Sequence, residues 1–282
     1  MIPLLLLALQ ADPVFKANLD LIRVQVQVTR EDKAVPGLTK DDFLILDQGT
    51  PQEIIAVETD AQPLDLIILI DASNSMTGAL RQLKQKSAVA LRHLRDIDRV
   101  AVLSFGTSLK IEYPLTQDFD SVKRAIREMR GHRPGTELNK NILQSARYLS
   151  NNARPTARHA ILLLTDNHGD RGVPDSQVLD LLWASDSILH SLIFENPRIP
   201  TNPKPHVEIF SDSTGGEIFR ANEKDLQLAK IVDQLRMRYT LVYRAPSAGP
   251  PGQTRQIEVK LAKPHPANTQ IHFRTGYTRK EF

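Results

Sequence analysis

The chain has 282 residues, 41% apolar and 24% charged, with 36 Lys and Arg against 33 Asp and Glu. This is a globular composition, long enough for one large domain or two smaller ones; the basic residues are scattered, with no block of interleaved aromatics, which gives nucleic-acid binding no support. Cysteine is absent, excluding disulfides, thiolate metal sites and cysteine nucleophiles, and no stretch reaches the about 18 apolar residues that span a bilayer.

The amino terminus, Met1-Ile2-Pro3-Leu4-Leu5-Leu6-Leu7-Ala8-Leu9-Gln10-Ala11, carries a short apolar run followed by small residues, without a basic stretch ahead of it. Residues 1–11 are expected to be a short or truncated signal peptide, and the protein to be exported to the periplasm or exterior. A cytoplasmic location follows if this segment is not a signal. Ile22, Val24, Val26 and Val28 then alternate with Arg23, Gln25 and Gln27, the period of a half-buried strand. Pro36-Gly37 marks a turn, and Phe43 to Leu46 and Glu53 to Val57 flank Gln48-Gly49-Thr50-Pro51 as a hairpin. Residues 12–61 thus read as a β segment.

Gln62-Pro63 opens a different regime, in which apolar runs alternate with helical patterns. Strands are predicted over Leu64–Asp71, Val100–Phe105, His159–Thr165 and Ile188–Phe194, with a short edge strand near Leu109–Glu112. Helices are predicted from about Gly78 to Asp96, and from Asp118, Leu138 and Asp175. Stripes such as Leu80, Leu83, Ala90 and Leu94, or Phe119, Val122, Ile126 and Met129, are core packing. After a proline-rich loop at 196–205 come a short strand, Glu217–Arg220, and a final helix from about Lys224 to Arg236. Strands apolar on both faces and separated by helices define an α/β fold, a Rossmann-like, doubly wound and mostly parallel sheet over residues 62–236. Alternation returns in Tyr239/Leu241/Tyr243, Ile257/Val259/Leu261 and Ile271/Phe273. Each terminal β segment alone is small for a core. Residues 237–282 are therefore expected to pack with 12–61 as a small β-sandwich-like domain.

In an open parallel sheet, ligands bind beyond the carboxyl ends of strands where the strand order reverses. Asp71-Ala72-Ser73-Asn74-Ser75 lies at such an end. An acid and two hydroxyls at alternate positions can aim oxygens at one point, and oxygen-only ligation suits a hard cation such as Mg²⁺, Mn²⁺ or Ca²⁺. Alone the pattern is weak, since Asp and Ser are ordinary turn and cap residues. Two further features reach the same edge. Gly135-Thr136-Glu137-Leu138 places the Thr136 hydroxyl on a loop, and Thr165-Asp166 ends a buried strand, so that Asp166 emerges beside Asp71 if the two strands are neighbours. With most ligands neutral, a bound cation keeps positive charge and an open position that attracts an external carboxylate.

This arrangement resembles the metal-ion-dependent adhesion site of von Willebrand factor type A domains, whose elements occur here in the same order and spacing. The resemblance implies that Ser73, Ser75 and Thr136 ligate the metal directly, and Asp71 and Asp166 directly or through water. It also implies that an Asp or Glu of a partner protein completes the shell. Gly37 to Phe43, Gln48 to Gln52, Thr214-Gly215-Gly216, Tyr239 to Pro246 and Gly276-Tyr277 further look like the exported bacterial VWFA-related family common in Acidobacteria. One departure is Asn167, where the family has Gly after the second Asp; Asn tolerates the left-handed backbone better than most residues. His168 and Asp170 either line the rim of the site or sit in solvent, and solvent is the expectation for both.

An enzymatic reading finds little support. An Asp-nucleophile phosphatase needs a second carboxylate two residues on, where this chain has Ser73, and that removes the general acid. There is no Gly-x-Ser-x-Gly, His-Glu-x-x-His or Gly-x-x-x-x-Gly-Lys. The expectation is a non-enzymatic, metal-dependent adhesion or interaction module whose protein partner presents Asp or Glu. The alternative is a structural scaffold whose metal site is vestigial or satisfied from within. A cytoplasmic adaptor for an ATPase fits less well with the terminal β segments.

Overall fold

The computed structural model describes residues 21–31, 33–59, 62–131, 133–194, 207–221, 228–246 and 252–278. The expected signal segment, the proline-rich loop and the first residues of the expected final helix lie outside the described residues. The amino-terminal segment folds as β1 (Leu21–Arg30), β2 (Lys33–Ala34), β3 (Phe43–Asp47), β4 (Thr50–Gln52) and β5 (Ile54–Thr59). The α/β unit follows: β6 (Leu64–Asp71), α1 (Thr77–Leu91), β7 (Arg99–Phe105), β8 (Leu109–Thr116), α2 (Phe119–Glu128), α3 (Leu138–Asn152) and β9 (Arg158–Thr165). It continues through α4 (Asp175–Ala184), β10 (Ser187–Phe194), α5 (Glu208–Thr214), β11 (Ile218–Ala221) and α6 (Leu228–Arg236). Last come β12 (Tyr239–Arg244), β13 (Thr254–Leu261), β14 (Thr269–Phe273) and β15 (Gly276–Thr278).

Every position of β6 is buried, as a strand covered on both faces requires. Its residues serve the two faces alternately. Leu66, Ile68 and Ile70 join a core with Leu80 and Leu83 of α1, Val122 and Ile126 of α2, and Ile231 and Leu235 of α6. Ile67 and Leu69 join another with Ile142 and Leu149 of α3, Val178 and Leu182 of α4, and Phe210 of α5. The strand order is β11-β10-β9-β6-β7-β8, parallel except for β8, which runs antiparallel along β7. The chain winds outward from β6 through β7 and β8, then returns to β9 on the other side. The strand order therefore reverses between β6 and β9.

Three expectations shift. α1 ends at Leu91 instead of Asp96, because the chain tightens into three-residue turns, Arg92 N–H to Val89 O, His93 N–H to Ala90 O and Leu94 N–H to Leu91 O. The buried Asp98 carboxylate then accepts Arg95 N–H and Leu64 N–H. β8 runs to Thr116, as a partly exposed edge strand. α5 was not foreseen; it stops at Gly215, whose φ of 75° is left-handed and whose Cβ, if present, would lie 2.5 Å from the Phe273 backbone.

The terminal segments interleave. β1 pairs with β12 and β14, β12 with β5, and β13 with β3, all antiparallel. The sheets β14-β1-β12-β5 and β15-β13-β3-β4 share a core of Val24, Val26, Phe43, Ile45, Tyr243 and Ile257. A buried Asp47 carboxylate in it accepts the Tyr243 and Tyr277 hydroxyls at 2.8 and 2.9 Å and Arg255 Nε at 2.8 Å. The junction with the α/β unit lies at the amino ends of β6 and β9. There Arg158 donates its N–H to Pro63 O and its guanidinium to the carbonyls of Leu235, Arg236 and Arg238. Buried Arg238 in turn donates to Gln27 Oε1 at 2.7 Å.

Candidate metal centre

Strands β6 and β9 pair in register up to Ile70 and Leu164, so Asp71 and Thr165 emerge side by side at the reversal point. The Thr165 hydroxyl donates to Asp71 Oδ2 at 2.9 Å and accepts Asn167 N–H at 3.0 Å. Asp71 Oδ1 accepts Ser73 N–H at 2.9 Å, which folds the chain back so that the Ser73 and Ser75 hydroxyls stand 3.1 Å apart. Asp71 is fully buried, Ser73 and Asp166 nearly so, Thr136 is half-buried and Ser75 is exposed. The carboxylates thus lie at the bottom of a cup, and hydroxyls form its open side.

Backbone contacts fix the Thr136 loop against this cup. Arg133 N–H donates to Ala72 O and Glu137 N–H to Gly106 O, while Asp170 N–H donates to Thr136 O. Glycines permit the close approaches. A Cβ on Gly106 would stand 2.8 Å from Arg133 Cβ, and one on Gly169, whose φ is 154°, would stand 2.6 Å from Thr136 O. Three loops, from β6, from the α2–α3 connection and from β9, therefore meet at one edge.

Burial, above all, pushes the Asp71 carboxyl up to about 6; hydrogen bonds from Ser73 and Thr165 oppose this, and the Asp166 charge adds to it. Asp166 Oδ1 accepts His168 N–H at 3.2 Å, but Asp166 Oδ2 is buried with no hydrogen-bond partner among the described residues. A buried carboxylate oxygen without a donor is costly. A cation bound between Asp71 and Asp166 would meet both deficits, so the residues present fit a divalent metal. Among the described residues there is no group of three or more His, Cys, Asp or Glu suited to a metal; a set built mainly from hydroxyls has only two such side chains.

Asn167 adopts φ 60°, so the left-handed turn expected of it is present. His168 departs from expectation. It is half-buried, with Nδ1 2.7 Å from the Asp166 carbonyl oxygen, because the Asn167 turn folds its ring back over the strand end. Asp170 is exposed as expected, though its backbone N–H is tied to Thr136 O and its carbonyl to Leu138 N–H. Sequence reasoning missed the Thr165 hydroxyl as the link between Asp71 and the Asn167 turn, and Arg133, which forms a parallel bridge with Ser73. A hydroxyl immediately before the second acid was the one signal available for Thr165.

Residues 66–169 match the family model of the von Willebrand factor type A domain. The α/β unit is such a domain, and the matched stretch contains all five candidate ligands. Among solved structures, proximal thread matrix protein 1 of the mussel byssus with a zinc-occupied MIDAS motif is similar at 17% identity and TM-score 0.56, over 67% of this chain and 50% of that one. A von Willebrand factor type A protein from Catenulispora acidiphila is similar at 15% identity and TM-score 0.51, over 95% of this chain and 76% of that one. An aerotolerance-related membrane protein from Bacteroides fragilis is similar at 17% identity and TM-score 0.50, over 61% of this chain and 98% of that one. At these identities the likeness concerns the fold. No curated protein matches the chain. No helix among the described residues is long and apolar enough to cross a membrane.

Proposed function

We infer that the α/β unit is a divalent-metal-dependent protein-binding module, in which a bound cation takes up an Asp or Glu side chain of a partner protein. The observation that carries this reading is the unpartnered, buried Asp166 Oδ2 beside Asp71, inside a cup whose open side is made of hydroxyls. Ser73, Ser75 and Thr136 would hold the metal directly, and Asp71 and Asp166 directly or through water. Oxygen-only donors favour Mg²⁺, with Mn²⁺ or Ca²⁺ as substitutes; the zinc of the mussel protein belongs to that protein's site. When bound, the cation supplies a positive, coordinatively open position. The protein's own part is to keep the hydroxyls fixed and the two carboxylates dry. Such a site binds; no catalytic residue is assigned to it.

The scaffold alternative, with an acid of the β sandwich filling the site, is disfavoured by position. The sandwich joins at the amino ends of β6 and β9, whereas the cup lies at their carboxyl ends, about 23 Å away along the eight residues of β6. Export fits the apolar run at residues 2–9, and it is tested by locating the tagged full-length protein in cell fractions.

Calorimetric titration of the chelator-stripped protein with Mg²⁺ and Mn²⁺, beside Asp71→Ala, tests the reading. Binding to one site that the variant loses is the expected result. Identical traces for the two proteins would give the scaffold reading the lead.

A further inference from the structure

The metal cup does not stand alone on its edge of the sheet. Beside it lies a groove of about 660 Å³ between β8, α2 and the loop after α2, lined by Lys110, Arg124, Arg130 and Arg133 together with Glu112 and Glu128. Glu112 is already engaged. It accepts the Ser104 hydroxyl at 2.6 Å and Lys110 Nζ at 2.5 Å, lies 3.5 Å from the Arg133 guanidinium, and is only 9% exposed. Arg124 and Arg130 are exposed, and Arg130 has no carboxylate partner among the described residues. The groove therefore carries surplus positive charge facing solvent.

Its continuity with the cup is built into the backbone. Arg133 bridges Ser73, and its N–H donates to Ala72 O at 3.0 Å. Gly131 lets the loop lie flat here: a Cβ would stand 2.8 Å from Leu80 Cδ1 and 3.9 Å from Ala72 O. Residues bridged in this way have α-carbons about 5 Å apart, and an extended peptide advances about 3.3 Å per residue. A chain with one carboxylate in the cup can thus place a second acidic side chain in the groove within about four residues.

We propose that this basic groove is the second half of the partner surface, and that the partner is a protein segment with a metal-seeking Asp or Glu and at least one more acidic side chain within a few residues. The proposal rests on the metal-capture reading and narrows it, because the cup alone accepts any accessible carboxylate while the groove selects among them. Charge complementarity of this type governs specificity and encounter more than raw affinity. Arg124 and Arg130 select; Arg133, held by Glu112, fixes the distance between the two halves.

The test pans a displayed library of random peptides on the full-length protein, in Mg²⁺ and in chelator, and then measures the selected peptides on the Arg124→Glu/Arg130→Glu double variant. Metal-driven melting shifts of both proteins are recorded alongside. The expected result is peptides selected only with Mg²⁺, each with an acid followed or preceded closely by others. They should bind the double variant at least about fivefold more weakly, since two exposed charge pairs are worth up to roughly 30-fold together and charge reversal adds repulsion, while its metal shift is unchanged. Metal-dependent peptides with a single acid, indifferent to the double variant, would overturn the groove's role and leave metal capture standing. Peptides selected equally well in chelator, or none selected with metal, would overturn both. Direct binding of RNA or of anionic vesicles that is as strong in chelator as in Mg²⁺ and is lost in the double variant would make the groove a general polyanion surface and also overturn the proposal.

Discussion

Replacing Asp71 by Asn separates what this residue does for the fold from what it does for the site. Burial raises the Asp71 carboxyl from 3.8 to about 6 in the folded chain, and the residue is fully buried. A group whose folded value lies above its unfolded one contributes stability below the unfolded value and loses it as pH rises through the folded value. At pH 7 the ionised, metal-free site therefore costs about 3 kcal/mol, from a shift of roughly two units at about 1.4 kcal/mol each. Asn has the same shape. Its oxygen can accept Ser73 N–H and its amide can donate to the Thr165 hydroxyl, so both hydrogen bonds now made by Asp71 survive. Metal-free Asp71→Asn should thus melt several degrees above metal-free wild type at pH 7, given about 2–4 °C per kcal/mol in a protein of this size. The gap should close as pH falls towards 4. With Mg²⁺ at about 100 times its dissociation constant, wild type gains about 2.7 kcal/mol and the variant gains nothing, so the order narrows or reverses. Melting curves in chelator and in Mg²⁺, at both pH values, read all four states. A metal-free variant less stable than wild type at pH 7, or an equal Mg²⁺ gain in both proteins, would refute the reasoning.

Other perturbations read other parts of the same arrangement. Thr136→Ala removes one proposed neutral ligand from a half-buried loop position; it should weaken Mg²⁺ at least about tenfold by calorimetry while the metal-free melting temperature stays within a degree or two. Gly169→Ala would press a Cβ to 2.6 Å from Thr136 O at a φ of 154°; it should cost roughly 1–3 kcal/mol by urea unfolding and weaken the metal as well. His190 is fully buried, and burial holds its imidazole well below the ordinary value of 6.5, with the Arg238 and His272 charges adding to this. Its folded value is depressed, so the stability it contributes is present above 6.5 and is lost as pH falls below it. Urea midpoints should drop between pH 7 and 5, and the drop should shrink in His190→Gln; an unchanged drop would assign the acid sensitivity elsewhere.

Most of the parallel sheet was legible because strands buried on both faces are written as apolar runs, as in Leu66 to Ile70 and Ile161 to Leu164. The pairing of the terminal β segments was legible only as an argument from economy of burial, and β1 between β12 and β14 supplies the contacts. α5 was not legible, since its seven residues are too few to show a helical period. In the site, the five candidate ligands could be picked out because each follows a strand or opens a helix in a recognisable order. The Thr165–Asp71 hydrogen bond spans 94 residues, and the bridge between Ser73 and Arg133 joins two loops. Such contacts depend on which strands become neighbours, and local pattern does not carry that information.

The chemistry of the cup also explains why two carboxylates are enough. Two carboxylates already balance a divalent cation; one more acid in place of Ser73 or Thr136 would make the site net negative and repel an acidic partner, giving a site that stores metal. Fewer acids would leave nothing to hold the ion against water. On the proposed reading, Asp71 and Asp166, dry and mutually repelling, hold attraction in reserve for a cation, and the hydroxyls of Ser73, Ser75 and Thr136 would coordinate it without adding negative charge. The open coordination position would face outward, at the end of the sheet farthest from the β sandwich and next to the arginines of the α2 loop. On this reading the same sheet edge would combine a short-range attraction for one carboxylate with a longer-range field that favours acidic neighbours around it.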